Sequence, residues 1–227
     1  MSSMALKLVI GNKNYSSWSM RPWMAMKLAG IAFEDQVISL DDPAFKETLS
    51  RLTPAGKVPV LIDGDRHIWE SLAIIEYVAE KFPAAKVWPK DAAARAHARV
   101  LSAEMHAGFA PLRRHCAMNM ARTRKKRELP PEVQSDVARI EEMWADCRAR
   151  FGQGGAFLFG APCAADAMYA PVVSRFHTYD IEVGENARAY MQAVMALPAW
   201  LEWEKAARHE PWILPRSEVD WPDAPRA

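Results

Sequence analysis

The stretch from Thr53 to Lys81, TPAGKVPVLIDGDRHIWESLAIIEYVAEK, constrains the fold more than any other part of the chain. Val58-Pro59 stands immediately before an apolar run, Val60 to Ile62. Proline has no N–H to give to a sheet ladder, so it belongs at a strand entrance or beside an open edge, and such a place tolerates a cis bond. Asp63-Gly64-Asp65 carries turn chemistry, with Asp-Gly suited to the positive φ angles of a two-residue hairpin loop, and Arg66 to Trp69 is the returning strand. From Ser71 the apolar residues fall at Leu72, Ile75, Val78 and Ala79, a helical spacing that opens on a hydroxyl cap and must end before Pro83. The segment predicts a strand, a tight turn, a second strand and a helix ending near Phe82.

Interrupting the pairing at Pro59 leaves the Val58 peptide group available to an extended peptide backbone. The Ser71 hydroxyl and the first N–H groups of its helix favour an anion such as a carboxylate, and Glu70 beside them can meet an ammonium. Together these groups describe a seat for a small zwitterionic peptide. The same spacing also fits an ordinary hairpin and capped helix whose proline only guards an edge.

K-V-P-V-L…E-S-L-A-I-I-E-Y resembles the glutathione-binding half of the thioredoxin-like domain in the soluble glutathione transferase superfamily. The resemblance implies that the Val58 backbone, before a cis Pro59, pairs with the cysteinyl unit of glutathione. It implies that Glu70 and Ser71 hold the γ-glutamyl end, with Lys57 as a nearby charge partner. Upstream, S-S-W-S-M-R-P-W (Ser16 to Trp23) resembles the S-S-C-x-W-R of the zeta class, with Trp18 in place of the cysteine. A serine at this turn is then expected to stabilise the glutathione thiolate. Taking Arg21 as the family's helix-start arginine assigns that role to Ser17; Ser16 is the rival, and both also fit as turn and cap residues. A free thiol titrates near ~8.5, so a shift of about two units asks for ~2.7 kcal/mol of preferential thiolate stabilisation, within reach of a hydroxyl hydrogen bond plus a helix N-terminus.

Trp18 departs from the zeta pattern, which weakens transfer of that class's cis–trans isomerisation, and its ring would shape the electrophile pocket. His106, Phe109, Arg113, Arg114 and His115 lie on the stretch that faces this pocket in the family; a basic face there would select an acidic electrophile, though a solvated helix face fits the same residues. Cys163-Ala164-Ala165-Asp166 stands where the family has a Ser/Thr-x-x-Asp capping box. Cysteine is a poor cap, whereas Asp166 complements the helix N-terminus, so Cys163 reads as a structural departure.

In order, Ala5 to Ile10 predicts a strand, Met20 to Leu28 a helix with Pro22 in its first turn and Gly30 as its C-cap, Phe33 to Leu40 a strand and Pro43 to Leu52 a short helix. With the hairpin and its helix the order is β-α-β-α-β-β-α, the thioredoxin-like layout. Pro83 to Lys90 reads as a linker. Beyond it come a helix from Asp91 to about Met120 kinked at Pro111, a helix from Pro131 to Phe151 striped by Val133, Val137, Ile140, Met143, Trp144 and Cys147, a glycine-rich loop, and shorter helices over Ala164 to Phe176, Glu185 to Met195 and Ala199 to Arg208. The predicted fold class is α/β plus all-α: a thioredoxin-like glutathione-binding domain over residues 1–83, then an all-helical domain over 91–227 that forms the electrophile pocket.

Lys+Arg 29 against Asp+Glu 28 leaves a net charge of +1, which gives no general field for nucleic acid or an anionic membrane. The basic run Arg122 to Arg127 lacks aromatic interleaving and reads as a solvated loop. Three widely spaced cysteines support neither a disulfide framework nor a zinc site, which fits a reducing, cytoplasmic setting; the family resemblance implies glutathione as co-substrate with no metal. The N-terminus lacks a signal peptide's apolar region, and no apolar run nears the ~20 residues needed to cross a bilayer. The surplus of apolar and aromatic positions on the long helices, together with the family resemblance, predicts a homodimer. The expected function is glutathione conjugation of a small electrophile, as in detoxification. The alternatives are zeta-like isomerisation and a non-catalytic glutathione-fold binding module.

Overall fold

The computed structural model describes residues 5–122, 126 and 128–218. Its first half follows the expected order: β1 (Lys7–Ile10), α1 (Ser17–Leu28), β2 (Glu34–Val37), α2 (Phe45–Ser50), β3 (Val60–Asp63), β4 (Arg66–Trp69) and α3 (Ser71–Lys81). The sheet runs β2-β1-β3-β4, with β1 parallel to β2 and antiparallel to β3, and β3 antiparallel to β4. Alternation of side chains splits its two faces. Leu8, Ile10 and Leu61 join α1, α3 and the second half in the main core, while Val9 and Val60 pack on Leu49 of α2.

Three local expectations are corrected. Asp63 pairs with Arg66, so the hairpin loop is Gly64-Asp65 rather than Asp63-Gly64. Only the glycine has positive φ, 61°, the pattern of a loop with glycine at its first central position. Helix α1 begins at Ser17, three residues earlier than read from the sequence, so Pro22 lies inside it and withdraws the donor that Trp18 O would have met. The expected C-cap Gly30 is the left-handed residue just past the cap Ala29, with φ 66°. Its N–H bonds Lys27 O at 3.1 Å and that of Ile31 bonds Met26 O at 2.9 Å, a Schellman closure.

The second half is helical: α4 (Ala92–Ala107), α5 (Ala110–His115), α6 (Pro131–Phe151), α7 (Ala164–Thr178), α8 (Glu185–Met195) and α9 (Pro198–Arg208). Asp91 caps α4 through Ala94 N at 2.8 Å. The expected kink at Pro111 is instead a break before it. Gly108 closes α4, Phe109 turns through φ 56°, and Pro111 sits in the first turn of α5, where its missing N–H costs nothing. Helix α7 is buried on nearly all sides, and α1 against α7 is the main joint between the halves. Cys163 stands at its N-cap. Asp166 accepts from Cys163 N at 2.8 Å and from Leu158 N at 3.2 Å, while the thiol faces the Asp166 N–H in the reciprocal position of a capping box. Burial pushes the Cys163 thiol well above its ordinary value, in keeping with a structural role.

Most of the basic run 122–127 lies outside the described residues. Among the described residues, no helix is long and apolar enough to cross a membrane.

Candidate functional site

A cavity of about 180 Å³ opens where the proline hairpin meets α1 and α4, lined by Trp18, Ala55, Lys57, Val58, Pro59, Trp69, Glu70, Ser71 and His106. Its floor is the strand entrance. Val58-Pro59 is cis, and Val58 precedes the first paired residue of β3, Val60. Beside it the chain turns sharply into α3. Glu70 takes φ 68°, ψ 125° as N-cap of that helix. A non-glycine residue persists in this region of backbone space only when its surroundings over-determine it, and such residues cluster at ligand sites.

Ser71 is the first helical residue rather than the cap. Its hydroxyl is buried and meets no partner among the described residues. An orphaned hydroxyl at a helix N-terminus costs stability unless a ligand oxygen reaches it, and the free N–H groups of the same turn attract negative charge.

His106, from the last turn of α4, closes the cavity from the second half. Its Nε2 stands 3.7 Å from Glu70 Oε2. Burial lowers its pKa, against the pull of Glu70 and helped by Arg21 and Arg113. Trp18 packs edge-on to His106, with ring centroids 5.2 Å apart, and carries the guanidiniums of Arg21 and Arg113 over its ring at 4.2 Å and 5.4 Å. The sequence-predicted Trp18, Lys57, Val58, Pro59, Glu70, Ser71 and His106 thus come together. Phe109 is buried outside the cavity lining, and Arg113 reaches the site over Trp18 while donating to Gly108 O.

Neither Ser16 nor Ser17 lines the cavity, and both are buried beneath Trp18's turn. Ser16 Oγ donates to Ser19 Oγ at 2.8 Å, and Ser19 Oγ also accepts from Gly11 N at 3.1 Å. Ser17 Oγ accepts from Arg175 Nη2 at 3.2 Å. A hydroxyl that accepts still has its own proton to donate. Arg175, on α7, also donates to Cys116 O and Pro171 O. Arg21 donates to Met168 O at 3.1 Å and Ser17 O at 3.0 Å, and its Nη2 meets no hydrogen-bond partner among the described residues.

Both guanidiniums are fully enclosed, and among the described residues neither has a carboxylate in ion-pair range. Burial lowers both, Arg175 to about 10, which leaves it cationic at neutral pH. The interior beside Ser17 is therefore positive, a setting that favours an anion. Arg175 and Ser19 escaped the sequence reading. The signal for Arg175 was a lone cation in the otherwise apolar run of α7, where a buried charge needs a purpose.

Family models match both halves: residues 15–81 match the glutathione S-transferase N-terminal domain and residues 130–206 its C-terminal domain. A probable maleylacetoacetate isomerase of Caenorhabditis elegans is 39% identical over 97 residues, covering 43% of this chain and 45% of that protein. A glutathione S-transferase of Triticum aestivum is 25% identical over 218 residues, covering 92% and 93%. The chain spans less than half the length of the first curated relatives it matches.

Among solved structures, a Burkholderia glutathione transferase homologue with bound glutathione superposes with TM-score 0.69 at 23% identity, covering 90% of this chain and 98% of that one. A zeta-class bacterial maleyl pyruvate isomerase gives the same TM-score, identity and coverage. With the thioredoxin-like sheet, the helical second half and both domain models in their expected places, the chain belongs to the glutathione S-transferase superfamily.

Proposed function

We propose that this protein is a glutathione transferase that binds glutathione in the cavity between the proline hairpin and His106 and ionises its thiol for attack on a small electrophile. The observation that carries the reading is the convergence, in one cavity, of an unladdered Val58 before cis Pro59, a strained Glu70 and an orphaned Ser71 hydroxyl at a helix N-terminus. These residues fit the peptide group by group. Val58 offers its backbone to the cysteinyl unit, Ser71 and the first N–H groups of α3 take the γ-glutamyl carboxylate, Glu70 takes the ammonium, and Lys57 meets the remaining carboxylate.

Ser17 is the better placed of the two serines to donate to the sulfur, because Arg175 occupies its acceptor side while the Ser16 proton is spent on Ser19. The thiol proton leaves to solvent. The thiolate then forms a carbon–sulfur bond, either displacing a leaving group or adding reversibly. Positioning and thiolate stabilisation do the chemistry. The buried cations of Arg21 and Arg175, with Arg113 beside them, favour an electrophile that bears a carboxylate, which conjugation and a zeta-like isomerisation both admit. The buried free thiols of Cys147 and Cys163 suit a reducing cytoplasm, where removal of such electrophiles serves detoxification. A homodimer is the assembly we infer.

Calorimetry with glutathione tests the seat. Glu70→Ala leaves the ligand ammonium unpaired and is expected to cost about 1 to 3 kcal/mol of binding. Affinity equal to the parent's overturns the assignment of Glu70. Turnover of a generic aryl halide separates an enzyme from a binding module.

A further inference from the structure

The connection from Gly11 to Ser17 carries both serines beneath Trp18's turn beside the cavity, and all of it is buried except the half-buried Lys13. A buried loop has no ladder of its own, so each of its peptide groups must find a partner elsewhere. Some partners are local. Tyr15 N and Ser16 N both donate to Asn12 O, at 3.2 Å and 2.8 Å.

Others come from far down the chain. Glu210, just beyond α9, lays its carboxylate across two successive amides, accepting from Lys13 N at 2.6 Å and Asn14 N at 3.0 Å. The Trp203 indole donates to Lys13 O at 2.9 Å. Asn14 Oδ1 accepts from Ala121 N at 2.8 Å. Tyr15 donates its hydroxyl to Glu218 at 2.5 Å, and the same carboxylate takes Asn119 Nδ2 at 3.1 Å and Arg122 at 3.3 Å.

We propose that Glu210, seconded by Glu218, is a positioning residue: the tail folds back under the loop and fixes the height at which the thiol-activating serine enters the site. The inference rests on the reading of Ser17 and Ser16 given above. A carboxylate bridging adjacent N–H groups makes charge-assisted bonds and pins two peptide planes at once. Those planes lie three and four residues before Ser17, and a catalytic constellation tolerates only about 0.5 Å of displacement. The glutathione seat sits on other elements: the turn before β3, the end of β4 and the start of α3. Loosening the clamp should therefore change thiol ionisation and leave the grip on the peptide intact.

The test uses the full chain with Glu210→Ala, Glu210→Gln, Ser16→Ala and Ser17→Ala. Two quantities are read: the pH midpoint of thiolate absorbance for bound glutathione, and the affinity for S-methylglutathione, which reports the seat without a thiol. Glu210→Ala is expected to raise the midpoint by at least one pH unit while S-methylglutathione affinity stays within threefold. Glu210→Gln, which keeps one acceptor and serves if the alanine variant does not fold, falls between it and the parent. Midpoints unchanged in both Glu210 variants, while either serine variant shifts its own, overturn the clamp and leave the serine reading standing. Midpoints unchanged in both serine variants remove the serine reading and the clamp with it. An S-methylglutathione affinity that drops in step with the midpoint overturns the positioning role in favour of a general structural one.

Discussion

Ser17 and Arg175 are 158 positions apart in sequence and meet inside the joint between the two halves of the molecule. The contact supplies what the short turn at the start of α1 cannot: a fixed cation on the acceptor side of the hydroxyl, which leaves its proton free to donate, as the proposed role of Ser17 requires. Ser17→Ala is expected to retain glutathione affinity within a few-fold and to move the pH–rate profile toward the free-thiol value near ~8.5. A shifted profile in Ser16→Ala beside an unchanged one in Ser17→Ala would hand the role to Ser16. That Val58, Pro59, Glu70 and Ser71 meet at one cavity was legible because a single continuous segment carries them in fixed order. Arg175 was not, since nothing in a linear reading says which lone cation on a buried helix will meet a particular hydroxyl. Ser71 was legible in place but not in state: spacing marked it as a cap, whereas Glu70 takes the cap geometry and leaves the serine hydroxyl without a partner among the described residues.

Elements with an unbroken period were readable almost to the residue. Helix α6 buries all six stripe positions named from its sequence, and α8 keeps its expected bounds. Strand β2 is shorter than expected, Glu34–Val37 rather than Phe33 to Leu40, and the main misses in the helices lie at prolines, which mark either a first turn or an interior fault and do not say which. Pro111 opens α5, while Pro22 interrupts α1.

Helix α7 carries the prediction at this scale. Burial raises Asp166 to about 6, although the N–H groups of Cys163 and Leu158 donate to it. The fold therefore prefers the protonated acid. That preference contributes fully below the unfolded value near ~4 and is lost as pH rises through about 6, a change of ~3 kcal/mol for a shift of about two units. Asp166→Asn removes the titration, so the stability of parent minus variant, read from urea midpoints, should fall by about that amount between pH 4 and pH 7. A difference that stays constant across this range contradicts the account of the cap.

For the whole molecule, Trp69 at the end of β4 and Val100 on α4 stay 38% and 57% exposed on elements next to the site. Helices α3 and α4 meet across the Arg99–Glu76 ion pair, at 2.8 Å. A closed two-fold dimer is the common way to cover apolar positions of this kind. Light scattering at low micromolar concentration should give twice the 25.5 kDa chain mass, and a value at the chain mass across that range contradicts the dimer.

The central claim, that the two halves together create one place where a glutathione thiol ionises, is tested most directly by titrating thiolate absorbance of glutathione at saturating protein. The account predicts a midpoint about two pH units below the free thiol's ~8.5. A midpoint equal to the free thiol's, with glutathione shown to be bound, contradicts it.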